Sequence, residues 1–118
     1  MCNQETLKAI IKDVCDIAAS FFSKNLKQVL LFGSYAKGTF DDESDVDFML
    51  ITALENEEVA KIEAALVERV YDLSLQYDIV VSINIQNEVI FQHLKNVNPF
   101  YRNVAEEGIK CIAQHGVV

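Results

Sequence analysis

The sequence predicts a small α/β or α+β domain in which helices cover a three- or four-stranded sheet. Two observations carry this. Apolar residues recur at three- and four-residue steps in some segments and form short continuous runs in others, and the two kinds of segment alternate. The chain is also short, 118 residues with one Pro and four Gly, which leaves room for brief connections between regular elements. With 51% apolar residues, seven Phe and four Tyr among them, it can fill one core, and it reads as a single domain over residues 1–118.

The first element is an amphipathic helix over about Glu5 to Ser23. Leu7, Ile10, Ile11, Val14, Ala18, Phe21 and Phe22 lie on one side of it, and Asn25 helps to end it. Gln28 to Phe32 is a continuous apolar run, the pattern of a strand buried on both faces, and Gly33 stops it. Tyr35 to Gly38 has room for one helical turn. Val46 to Ile51 is a second strand. Asn56 is a candidate cap for a helix over about Glu57 to Gln76, with Val59, Ile62, Leu66, Val70 and Leu73 on one side.

Asp78 to Ile85, rich in β-branched residues, reads as a third strand opened by Asp78. Asn87 caps a helix through about Leu94. Asn98-Pro99 is a capping residue followed by Pro at the first helical position, and Gly108 stops that last helix. The order is therefore helix, strand, a loop holding one turn, strand, helix, strand, helix, helix.

Charge excludes several functions. The net charge is −8 and the ten Lys and Arg are scattered. Phosphate backbones are held by clustered cations, so direct nucleic-acid binding is not expected, nor is attraction to an anionic membrane. Cys2, Cys15 and Cys111 are odd in number and widely spaced, against a disulfide framework or a structural zinc site. They read as idle thiols of a reducing cytoplasm. Lys8 and Lys12 interrupt the first apolar positions, against a signal sequence, and no stretch reaches the ~20 apolar residues of a membrane span. His93 and His115 stand alone, away from any ligand spacing.

The chemistry concentrates between Leu30 and Ile51. Gly33-Ser34 follows the first strand, and ten residues later comes Asp45-Val46-Asp47 at the mouth of the second. Residues two apart on a strand point the same way, so Asp45 and Asp47 project together. If the second and third strands are neighbours, Asp78 joins them. Three carboxylates so close repel one another unless a cation sits between them, and hard divalent cations take such oxygen ligands. Gly33 lets the backbone approach a phosphate, the Ser34 hydroxyl and the N–H groups of a helix start can bind phosphate oxygens, and Lys37 can add a point charge. Asp41, Asp42 and Glu43 read as a charged loop tip. A calcium loop over residues 41–52 fails, with Val46 at its sixth position and Thr52 at its twelfth.

Gly33-Ser34, ten residues, then Asp45-Val46-Asp47 resembles the signature of the DNA polymerase β-like nucleotidyltransferase superfamily. The fuller run GSYAKG…SDVDFMLI is similar to the minimal nucleotidyltransferases, the antitoxin (MNT) partners of HEPN ribonuclease toxins. The resemblance is sharpest over residues 28–52, and the tail NPFYRNVAEEGIKCI and the chain length agree with it. It implies a nucleotidyltransferase fold with a small mixed sheet. It implies that Gly33 and Ser34 hold the triphosphate of ATP, and that Asp45 and Asp47 ligate two Mg²⁺ ions. Asp78 would ligate the catalytic ion and help deprotonate the incoming hydroxyl. Lys37 stands where many relatives have Arg, and it cannot make the bidentate fork.

Larger relatives carry a second domain for the acceptor, so the acceptor here is expected on a partner. The resemblance implies a tyrosine hydroxyl of a HEPN toxin, receiving AMP. Arg102 and His115 are too far apart for the toxin's own ribonuclease motif. Phe91, Leu94, Phe100 and Tyr101 are candidates for the partner interface, with at least half of them expected in the core. Two alternatives stand beside this reading. The chain could neutralise its partner by docking alone, or it could modify a small aminoglycoside-like acceptor.

Overall fold

The computed structural model describes residues 3–113, 116 and 117; Cys2 and His115 lie outside them. Helix α1 (Gln4–Phe22) opens the chain, with Asn3 as its cap accepting from the Thr6 N–H. A 3-10 turn at Ser23–Asn25 leads into β1 (Leu26–Phe32), and α2 (Ser34–Lys37) is the expected single turn. Then come β2 (Val46–Thr52), α3 (Asn56–Tyr77), β3 (Val81–Asn87), α4 (Glu88–Val97) and α5 (Pro99–Glu107). The strands β4 (Ile109–Ala113) and β5 (Gly116–Val117) follow. Among the described residues no helix is long and apolar enough to cross a membrane.

The five strands form one mixed sheet in the order β3-β2-β1-β4-β5. β1 pairs antiparallel with β2 and with β4, whereas β2 and β3 are parallel. A parallel pair needs a crossover, and α3 supplies it. Helices on both faces explain why the strands read as unbroken apolar runs. On one face α1 and α3 pack on Val29, Leu31, Val46, Phe48, Leu50 and Val81. On the other, Phe91 of α4 and Val104 of α5 cover Leu30, Met49 and Ile51. Alternation along β2 therefore puts Asp47 on the α4–α5 side, in line with Met49 and Ile51.

One expectation about a helix boundary is corrected here, and one strand is added. The cap of α3 is Glu55 rather than Asn56: Glu55 and Glu58 form a reciprocal capping box. β4 was not anticipated, because its five residues acquire a strand's hydrogen bonds only by pairing with β1.

Asn87 does cap α4. Its buried side chain accepts from the N–H groups of Val89 and Ile90 at 2.9 and 3.2 Å and donates to the Leu54 carbonyl at 2.9 Å. Asn87→Ala removes all three bonds and leaves that carbonyl unpaired. The expected loss is about 2 kcal/mol of stability. Urea unfolding checks it, and a loss below about 0.5 kcal/mol would mean that the cap holds nothing together.

Candidate active site

β1 ends at Phe32, and the chain turns sharply at Gly33, which takes φ 75° and ψ −154°. Only glycine occupies that region without strain. The Gly33 carbonyl accepts from the N–H groups of Ala36 and Lys37, both at 3.1 Å, and so starts α2. Gly38, at φ 76° and ψ 15°, closes the turn. Tyr35 is buried and stacks on Phe40, ring centres 4.4 Å apart, so it packs.

Gly33 has a second task. Phe32 pairs with Asp47 across β1 and β2, which brings the Asp47 carboxylate against the Gly33 backbone. A Cβ on residue 33 would lie 2.6 Å from Asp47 Oδ2. The missing side chain is the space the carboxylate fills.

Asp45 is exposed and Asp47 half-buried. Burial, and then the negative charge of Asp45, push the Asp47 carboxyl above its ordinary range. Both causes disfavour a second negative charge here. Among the described residues the ion pairs are Lys12–Asp16 and Lys37–Glu107, and neither touches Asp45 or Asp47. Two adjacent carboxylates without a countercharge, one of them lodged against a turn with no side chain, fit a hard divalent cation.

Asp78 is not where the sequence put it. α3 runs to Tyr77, and Asp78 caps its end in the left-handed region, φ 54° and ψ 45°, with its N–H on the Ser74 carbonyl. The strand starts only at Val81. The β-branched run 79–81 suggested an earlier start, but the chain must first turn down from the helix layer into the sheet. Asp tolerates the left-handed turn that this requires. Accordingly, among the described residues no three His, Cys, Asp or Glu side chains are gathered closely enough to hold one metal ion. Asp78 instead shares with Asp45 the wall of a depression of about 630 Å³.

The residue of β3 in register with Asp47 is Ser82. In a parallel pair, registered side chains stand on the same face, so a hydroxyl stands where a third carboxylate was expected. Sequence reasoning missed Ser82, since the register of two distant strands leaves no local signal.

Lys37 lies on the other side of Gly33. It is exposed, 3.5 Å from the Glu107 carboxylate, a solvated pair of little energetic weight. With Phe32, Gly33, Phe100 and Asn103 it lines a smaller hollow of about 180 Å³. Asp45 lines the larger depression with Asp78, whereas Asp47 stands against Gly33, which lines the smaller hollow with Lys37. Of the four interface candidates, Phe91 is buried and its ring meets Tyr101 edge-on. Leu94 is half-buried, and Phe100 is the exposed one.

A family profile described as "Polymerase beta, Nucleotidyltransferase" matches residues 15–105. The chain is 31% identical over 99 residues to a Methanocaldococcus jannaschii protein named "Putative protein adenylyltransferase MJ0604", covering 83% of this chain and 90% of that one. The fold resembles a crystal structure described as that of a putative nucleotidyltransferase from Sulfolobus solfataricus. Its TM-score is 0.54 at 20% identity, over 97% of this chain and 90% of that one. It also resembles a chain of a toxin–antitoxin crystallised with AMP-PNP, with TM-score 0.51 at 21% identity, over 85% of this chain and 70% of that one. The profile spans both the glycine turn and the paired aspartates, and with the 31% identical relative it makes the chain a member of the polymerase beta nucleotidyltransferase family, an enzyme of the nucleotidyl-transfer class.

Proposed function

We propose that this chain transfers AMP from ATP, with two Mg²⁺ ions, to a tyrosine hydroxyl of a partner protein, and that the partner is a toxin of the HEPN ribonuclease type. The observation that carries the reading is the pair Asp45 and Asp47, close enough for one charge to raise the other's pKa, with no ion pair to either among the described residues and Asp47 against the Gly33 turn. The relative named as a protein adenylyltransferase supports a protein acceptor. The toxin–antitoxin with AMP-PNP supports a toxin as partner and an adenine nucleotide as donor, and the HEPN type rests on the sequence resemblance.

Each residue has a role in this reading. Asp45 and Asp47 hold the divalent ions, which when bound neutralise phosphate charge and stabilise the attacking and leaving oxygens. Gly33 keeps room for the Asp47 carboxylate, and the Ser34 hydroxyl orients the triphosphate. Lys37 adds a positive charge on that side. The acceptor oxygen attacks the α-phosphorus, the bond to the β-phosphate oxygen breaks, and pyrophosphate leaves. Asp78, facing the depression it shares with Asp45, takes the hydroxyl proton, directly or through water. Buried thiols at Cys15 and Cys111 suit a protein of the reducing cytoplasm.

A specific observation favours a second reading. Ser82 beside Asp47 leaves the site one carboxylate short of the expected three, which suits a chain that binds nucleotide and neutralises its partner by docking. One experiment separates the two. The chain is co-expressed with the product of the neighbouring gene, Mg²⁺ and each NTP are added in turn, and both intact masses are taken. Transfer predicts a gain of one or more AMP units on the partner, lost in Asp45→Asn/Asp47→Asn. A stable complex with no mass gain on either chain moves the conclusion to docking.

A further inference from the structure

α3 carries more apolar surface than the fold uses. Its core side is complete with Val59, Leu66, Val70 and Leu73, all buried. Yet Val67, Tyr71 and Leu75 are 48%, 61% and 65% exposed. They succeed one another at four-residue steps, so they form one continuous ridge on the solvent side of the helix. Scattered apolar residues on a surface are ordinary, but a contiguous row marks a contact surface.

The ridge leads somewhere. Tyr71 and Leu75 are also walls of the depression that contains Asp45 and Asp78, and Val80, 57% exposed, lies at its edge. The acidic side chains lining it are Asp42, Glu43, Asp45 and Asp78, and among the described residues no Lys or Arg lines it. Glu68 and Asp72, both exposed, flank the ridge on the helix itself. The nearby Arg69 belongs to another surface, which it shares with Asp13 and Asp16 of α1.

We infer that the Val67–Tyr71–Leu75 ridge of α3 is the docking surface for the acceptor protein, and that the docked element is a helix with an apolar stripe flanked by Lys and Arg. This rests on the reading that the acceptor is a protein. Length argues for a helix. Val67 to Leu75 spans about 12 Å, roughly two turns, which a second helix can follow and a small acceptor cannot. Charge argues for a cationic partner, and against a second copy of this chain. A two-fold pairing of this face would set its own carboxylates against one another in a chain already at −8. A helix seated here has its end over Asp45, so the ridge aligns the acceptor hydroxyl with the site.

The test uses two synthetic 18-residue helical peptides. Both carry a Leu stripe and one Tyr near one end. One is flanked by Lys and the other by Glu. Binding is read by fluorescence anisotropy at physiological salt. The cationic peptide is expected to bind at least tenfold more tightly than the anionic one. Tyr71→Ser/Leu75→Ser should weaken it at least tenfold, and so should the charge reversal Glu68→Lys/Asp72→Lys. Val89→Ser, an exposed apolar residue of α4, should leave it unchanged. If the Ser variant does not fold, the charge reversal answers the same question. No binding of the cationic peptide, equal binding of both, or an equal loss in Val89→Ser would overturn the inference. So would a wild-type dimer in sedimentation that the Ser variant abolishes, since the face would then belong to a second copy. Calorimetric titration of Mg²⁺-ATP into the same proteins reads the nucleotide site separately. If wild type binds the peptide but no ATP, the proposed function fails and the docking surface stands.

Discussion

Asp47→Asn is expected to cut transfer severely and, at neutral pH, to make the metal-free protein more stable. The two effects share one cause. Asp47 is held half-buried beside Asp45, and both burial and that neighbour oppose its ionisation. A carboxylate kept in such a place destabilises the fold until a cation arrives. Asparagine fills nearly the same volume against Gly33 without the charge. It cannot replace an anionic metal ligand, and the activity should fall by roughly a thousandfold.

The pH dependence fixes the sign. The Asp47 pKa is higher in the folded state than in the unfolded chain, so folding favours the protonated form. That contribution is fully present below the ordinary carboxylate range and is lost as pH rises through the raised folded value. Wild type therefore loses stability across that window and Asp47→Asn does not. The gap in melting temperature should be small below the ordinary carboxylate range and widen as pH rises through the raised Asp47 value. Excess Mg²⁺ should close it by stabilising wild type alone. A variant less stable than wild type at pH 7, or equal stabilisation of both proteins by Mg²⁺, would contradict this account.

How much of this was legible beforehand depended on whether the signal was local. The periodicity of Leu7 to Phe22 gave α1, the unbroken run before Gly33 gave β1, and Asn87 and Asn98-Pro99 gave two caps, because each is a matter of neighbouring residues. The Gly33-Ser34 turn and the paired aspartates were legible for the same reason. Their contact was not, since it depends on Phe32 pairing with Asp47. The Asp78 expectation failed at a boundary. Ile79 and Val80 have strand propensity, but the end of a long helix needed those positions for its exit turn, and tertiary geometry overrode local preference. Ser82 and β4 depend wholly on pairing with distant strands, which no single segment records.

Gly33→Ala should damage stability and activity together, and a double-mutant cycle can separate the two causes. Glycine's backbone at φ 75° and ψ −154° is strained for any other residue, at a cost of roughly 1–3 kcal/mol. The new methyl would also meet Asp47, with Oδ2 at 2.6 Å, Cγ at 3.5 Å and Cβ at 3.7 Å. The strain belongs to the turn alone, whereas the clash belongs to the carboxylate. Asp47→Ala removes the two nearer atoms and leaves the third at ordinary contact distance. In that background Gly33→Ala should therefore show only the backbone penalty. In wild type it should show more, with a coupling of roughly 1 kcal/mol. Turning the carboxylate away to relieve the clash would also remove it from its place beside Asp45, so Mg²⁺ should no longer stabilise Gly33→Ala. Equal penalties in the two backgrounds would mean that Gly33 serves only the turn. Preserved stabilisation by Mg²⁺ would mean that the Asp47 carboxylate does not need the space Gly33 leaves.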